Sequence, residues 1–141
     1  MGMSATFSNQ VLALIFNGTA ITGLAQNTTS SPYTSLYIAL HTADPTGGTQ
    51  STSEIAYTGY ARVAVTRTSG GFVVTSNVLN PAANIVFPTG SGGSGTATFM
   101  SLGVNATGAT ELLWSGGIAP SIVCGSGVTP TLTTATSLTQ T

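Results

Sequence analysis

The residues able to do chemistry in this 141-residue chain are few: one histidine, three carboxylates, two arginines, one cysteine and no lysine. His41 ends the apolar run "SLYIALH", and Asp44 follows in "TADP"; Glu54, Arg62 and Glu111 come later. A histidine with carboxylates nearby raises two chemistries, a metal centre and an acid–base pair. Residues i and i+3 of a strand point to opposite faces, so His41 and Asp44 converge only if the chain turns between them. A zinc site takes three or four ligands, and His41, Asp44, Glu54 and Glu111 are all the chain has besides its lone cysteine. Nucleophilic catalysis would require one of the many serines to meet His41, and no G-x-S-x-G elbow is present. The glycines of "GSGGSG" match no phosphate-binding loop and no lysine accompanies them. Cys124, alone, excludes an internal disulfide and a cysteine-held metal; its apolar setting "SIVCGSG" marks a small core residue.

A structural reading accounts better for the same residues. "TADP" has turn chemistry, with the Asp44 carboxylate accepting nearby backbone N–H groups and Pro45 fixing φ. His41 then ends a strand and bonds locally, while Arg62 pairs with Asp44 or Glu54 and brackets the loop between them. A catalytic site needs several groups in complementary roles, and here they are missing. No catalytic residue, cofactor or metal is expected.

These residues must be positioned by a framework that the patterning makes almost entirely β. One helix is expected, over residues 4–17: Phe7, Val11, Leu14 and Ile15 recur at helical spacing, Ser4 or Ser8 offers a cap, and Asn17-Gly18 a stop. That apolar face must pack within its own domain or on a neighbouring subunit. A polar connector, 18–35, follows. In "LYIALHT", Leu36, Ile38 and Leu40 alternate with Tyr37, Ala39 and His41. "YARVAVTRT" and "FVVTS" are expected to form a hairpin through Ser69–Gly71. "NIVFP", "TATFMSLGV", "ELLWSGGI", "SIVCG" and "TLTTATSLT" read as further strands. About seven to eight short strands at regular spacing predict an antiparallel β-sandwich with one short N-terminal α-helix, a single domain over 1–141 with the sandwich in 36–141.

Composition excludes several partners. Charged residues make up 4% of the chain, against about 25% in ordinary domains, so two arginines cannot form a nucleic-acid interface or a basic membrane patch. Hydrophobic residues at 41% argue against disorder. Val11–Phe16 is too short for a signal-peptide core and no basic residue precedes it; no apolar run approaches the ~20 residues of a membrane span. So little charge leaves little repulsion between copies, which points to a surface covered by neighbours in an assembly.

The block "LYIALHTADPTGGTQSTSEIAYTGYARVAVTR", with "NPAANIVFPT" and "ELLWSGGIAPSIVCGSGVTPTLTTATSLT", resembles a family of small virion proteins of tailed bacteriophages. Its members carry tail-fibre, minor-tail or virion-structural labels. The resemblance implies a non-enzymatic structural protein of the virion, assembled in the bacterial cytoplasm, with other virion proteins as partners and no catalytic residues to transfer. Low charge and one-domain size then favour a capsid decoration or cement protein on the major capsid shell, a homo-oligomer and by preference a trimer. The alternative is a tail-associated fibre, adaptor or host-binding protein, with Tyr33, Tyr57, Tyr60 and Trp114 as exposed aromatics for a glycan. A wall-degrading hydrolase is the remote third reading, since it needs two carboxylates at defined separation.

Overall fold

The computed structural model describes residues 5–21 and 33–139; the side chains of residues 5–7, Phe7 among them, Ser4 and most of the connector lie outside the described residues. The fold is all-β, of the antiparallel sandwich class, with nine strands and one helix among the described residues. The described residues form two compact units: 5–21, 33–35, 65–84 and 132–139 in one, 36–64 and 85–131 in the other.

In the first unit, helix α1 (Ala5–Asn17) packs on strand β3 (Phe72–Thr75). Ser8, Leu12 and Phe16, spaced four apart, are its buried stripe, while Val11, Leu14 and Ile15 are half-buried on its flanks. Ser8 is therefore an interior residue of the helix and not its cap. The Phe16 ring meets Phe72 at 5.2 Å between centroids, and fully burying a side chain of this kind is worth about 1.5–3 kcal/mol. At the C-terminal end Gly18 adopts a left-handed φ of 65°, and the Thr19 N–H returns to the Ala13 carbonyl. Arg67 also caps this end, donating to the carbonyls of Ile15 and Leu14 as well as to that of Tyr33, where a cation also suits the helix dipole. β3 pairs with β4 (Val78–Pro81), and β4 with β9 (Leu138–Thr139).

The expected hairpin is thus replaced by another. "VAVT" does not pair with "FVVT"; β3 turns instead through Ser76-Asn77 onto β4, with Thr75 opposite Val78. Around Ser69–Gly71 the N–H groups of Gly71 and Phe72 both bond to the Thr68 carbonyl. That local turn redirects the chain rather than continuing a ladder.

The largest sheet has the order β2-β1-β6-β7, from β1 (Ser35–His41), β2 (Val63–Thr66), β6 (Ser94–Gly103) and β7 (Leu112–Gly125), and all of it but Ser35 and the second half of β2 belongs to the second unit. β1 and β6 run antiparallel with Leu40 opposite Met100 and His41 opposite Phe99. β1 does not show a buried and a solvent face: Ala39 and His41 are as buried as Leu36, Ile38 and Leu40. Both edges of β1 are occupied by neighbouring strands, and the loop after it folds back so that the Ile55 N–H bonds to the Leu40 carbonyl. "ELLWSGGI" and "SIVCG" form one strand, β7, with a register shift against β6 between them. Cys124 near its end is buried. Two short strands, β5 (Ile85–Val86) and β8 (Thr131–Leu132), pair separately.

Candidate functional site

The loop between β1 and β2 brings two of the scarce charged groups, Glu54 and Arg62, together in the second unit. Arg62, just before β2, makes a forked ion pair with Glu54: Nε to Oε1 and Nη2 to Oε2, each 2.7 Å. Its Nη1 donates to Gln50 Oε1 and to the Asn105 carbonyl, both at 3.1 Å, and Nη2 to the Gly108 carbonyl at 2.9 Å. Every N–H of the guanidinium is committed to an oxygen of its own chain. The Glu54 carboxylate raises the guanidinium's already high pKa.

Gln50 is the hub beneath this pair, fully buried. Its Nε2 donates to the Tyr37 carbonyl of β1 at 2.6 Å, and its backbone N–H bonds to Thr110. Its amide lies so close over Gly103 that a Cβ there would collide with it, so this end of β6 requires glycine. Tyr60 braces the other side of Glu54, donating to Oε1 at 2.9 Å and accepting the Leu40 N–H at 3.1 Å. Burial pushes the Tyr60 hydroxyl's pKa strongly upward, so it stays protonated as a donor.

His41 sits at the end of β1, with its backbone bridged to Glu54. Nδ1 lies 2.8 Å from the Thr52 carbonyl and Nε2 lies 2.7 Å from Ser101 Oγ on β6. A carbonyl only accepts, so Nδ1 carries the proton and Nε2 accepts from the serine. Burial lowers the pKa of the imidazole, favouring this neutral form, although the Thr52 bond opposes the shift. The structure thus supplies the serine–histidine contact that catalysis would require, but His41 and Ser101 are both 0% exposed. No substrate reaches that hydroxyl in this conformation.

Asp44 stands apart from the cluster. It is exposed, and the Thr46 hydroxyl and N–H hold its carboxyl below the ordinary range; the N–H lies 2.9 Å from Oδ1. This is an Asx turn. Arg62 has chosen Glu54 of its two candidates, and His41 bonds across the sheet to a residue 60 positions away rather than only locally. Sequence reasoning missed Gln50 and Ser101, and took Tyr60 for an exposed aromatic where it is a member of this cluster. Nothing in "GGTQST" separates a buried glutamine from a loop glutamine. Among the described residues no group of three or more His, Cys, Asp or Glu side chains could hold a metal ion.

The aromatic platform is also revised. Tyr57 is buried, with its hydroxyl on the Pro88 carbonyl at 2.8 Å, and it stacks edge-on against Tyr60, which in turn lies parallel to Phe87. Trp114 is half-buried, where the glycan reading needs it exposed. Tyr33 alone of the four is fully in the exposed class, at 58%. What remains is a polar cluster that ties a long loop to a sheet, using up its hydrogen-bonding capacity internally. A model of the family described as Podophage GP4 fiber I protein gp80 matches residues 2–139. No curated protein matches the chain.

Proposed function

Because the chain belongs to the podophage GP4 fiber I protein gp80 family, we propose that it is a structural, non-enzymatic part of the phage fibre, held by contacts with other tail proteins. The observation that carries this reading is the family match, which spans both compact units. The inward-turned chemistry of the second unit supports it, since Arg62, Glu54 and His41 spend their polar groups on the chain's own oxygens and hydroxyls. Near-absence of charge suits a subunit largely covered by neighbours, in a fibre as well as on a shell. The capsid decoration role expected from composition finds no support in the family, whose description is of a fibre.

Immunogold labelling of virions carrying an epitope-tagged chain tests the assignment. Gold on the tail or its fibres, with copy number a small fraction of that of the major capsid protein, is the expected result. Gold over the heads, in near-integral ratio to the capsid protein, would overturn it.

A further inference from the structure

Asn17 is the only asparagine in the sequence that is followed by glycine, and the fold puts that pair where α1 ends. The Asn17 side-chain amide faces three carbonyl oxygens: Phe72 at 2.9 Å, Thr68 at 3.1 Å and its neighbour Phe16 at 3.3 Å. Carbonyls only accept, so it is the amide nitrogen that points at them and donates. The bonds to Phe72 and Thr68 join the helix end to β3 and to the turn before it. Gly18 follows in the left-handed region and lets the Thr19 N–H return to the Ala13 carbonyl.

An asparagine followed by glycine carries a reaction of its own. The Gly18 nitrogen, having given its proton to base, attacks Asn17 Cγ. The bond from Cγ to the side-chain nitrogen breaks, and ammonia leaves with a proton taken from solvent. The product is a five-membered succinimide. Water then adds to one of its two carbonyls and opens the ring, leaving aspartate or isoaspartate at position 17. Glycine, with no Cβ, leaves its nitrogen the least shielded of any residue. The attack needs Cγ to swing onto that nitrogen in a near-attack geometry, and the carbonyls of Phe72 and Thr68 hold the amide in their own direction. The side chain is free to turn when the helix end lifts from β3 in a local opening.

We propose that Asn17-Gly18 is a deamidation site that the docking of α1 on β3 keeps closed, and that its conversion releases the helix end irreversibly. The new carboxylate has no hydrogen to donate and faces three acceptors. It also sets a negative charge at the C-terminal end of a helix, where the macrodipole opposes it. Isoaspartate adds a methylene to the backbone just before the Gly18 turn and so breaks the Thr19–Ala13 closure. Arg67 is the cation at this end, and each of its three nitrogens already donates to a carbonyl, of Ile15, Tyr33 or Leu14. Copies that have opened and reacted are thereby held open, whereas copies that stay docked keep the amide. The inference does not depend on the fibre assignment, which virion labelling tests separately.

Peptide mapping by mass spectrometry tests the site, on the purified full chain aged in mildly alkaline buffer with and without urea. In urea Asn17 should convert faster than every other asparagine, Asn105 before alanine included. In the folded chain its conversion should be slower by roughly tenfold or more. This measurement uses the parent chain and stands whether or not a variant folds. Asn17→Asp supplies the second measurement: it should melt lower by roughly 3 °C or more, with faster amide hydrogen exchange along α1. Equal rates in the two conditions, an Asn17 no faster than Asn105 in urea, or a folded Asn17→Asp that keeps the parent's melting temperature by recruiting Arg67 would each overturn the proposal.

Discussion

Replacing Arg62 by alanine would take the cation from the Glu54 carboxylate, leaving it the Tyr60 hydroxyl, and would remove the guanidinium donor from the Gln50 carbonyl and two loop carbonyls. Removing one partner of a buried ion pair costs about 3–5 kcal/mol, because the other is left uncompensated; Glu54 keeps some solvent access, with 17% of its side chain exposed, so the lower end is expected. Urea unfolding should show the loss, and Arg62→Lys should recover only part of it, since an ammonium cannot reproduce the fork. An unchanged midpoint for Arg62→Ala would remove the cluster's bracing role. His41 makes a second prediction. Burial holds its folded-state pKa below the ordinary 6.5, so between the two values the unfolded chain binds more protons than the folded one. Stability then rises with pH in that window: it is fully present above the unfolded pKa and is lost as pH falls through the folded one. Unfolding at pH 7.5 and 5 should show this slope in the parent and a flatter one in His41→Asn; parallel slopes would exclude His41 as its source. With three carboxylates in the chain, the sequence could narrow Arg62's partners but not choose between them. The choice depends on Gln50, Tyr60 and the loop carbonyls, whose convergence is tertiary and leaves no local pattern. Ser101 was invisible for the same reason, being one serine among many until β6 lies beside β1.

At the scale of elements, apolar periodicity exposed the helix and most strands, while the pairing of strands was misread where turn chemistry misled. Ser69–Gly71 carries the usual turn residues, yet the hairpin forms at Ser76-Asn77, where Ser76 sits at φ 56°. A two-residue hairpin loop with positive φ at its first position normally has glycine there, so a serine hides the signal. The left-handed region costs a non-glycine residue about 1–2 kcal/mol, and glycine returns part of that as chain entropy. Ser76→Gly should accordingly raise the stability of the first unit by about 1 kcal/mol or less, read as a higher midpoint in chemical unfolding. A lower midpoint would mean that the serine side chain contributes more than its backbone strain costs. The merging of two expected strands into β7 has a related cause: "ELLWSGGI" and "SIVCG" are separated by Ala119-Pro120, but the ladder with β6 resumes after the register shift.

For the molecule as a whole, the resemblance carried in the β1–β2 block pointed to a virion structural family, whereas position in the virion was not readable, since it depends on partners the chain does not encode. Charge scarcity, however, has a consequence independent of position. Of the few charges, Arg62 and Glu54 neutralise each other inside the second unit, and Arg67 is spent on the carbonyls that end α1. Asp44 and Glu111 are exposed carboxylates. Salt acts by screening exposed charges, and going from about 0.01 M to about 1 M shortens the Debye length from roughly 30 Å to about 3 Å. With so little exposed charge to screen, the melting temperature should be nearly flat across that range in sodium chloride. Sodium sulfate should raise it, because excluded salts strengthen apolar burial whatever the charge. A steep fall of the melting temperature in sodium chloride would mean that ionic contacts outside the buried Arg62–Glu54 pair hold this protein together.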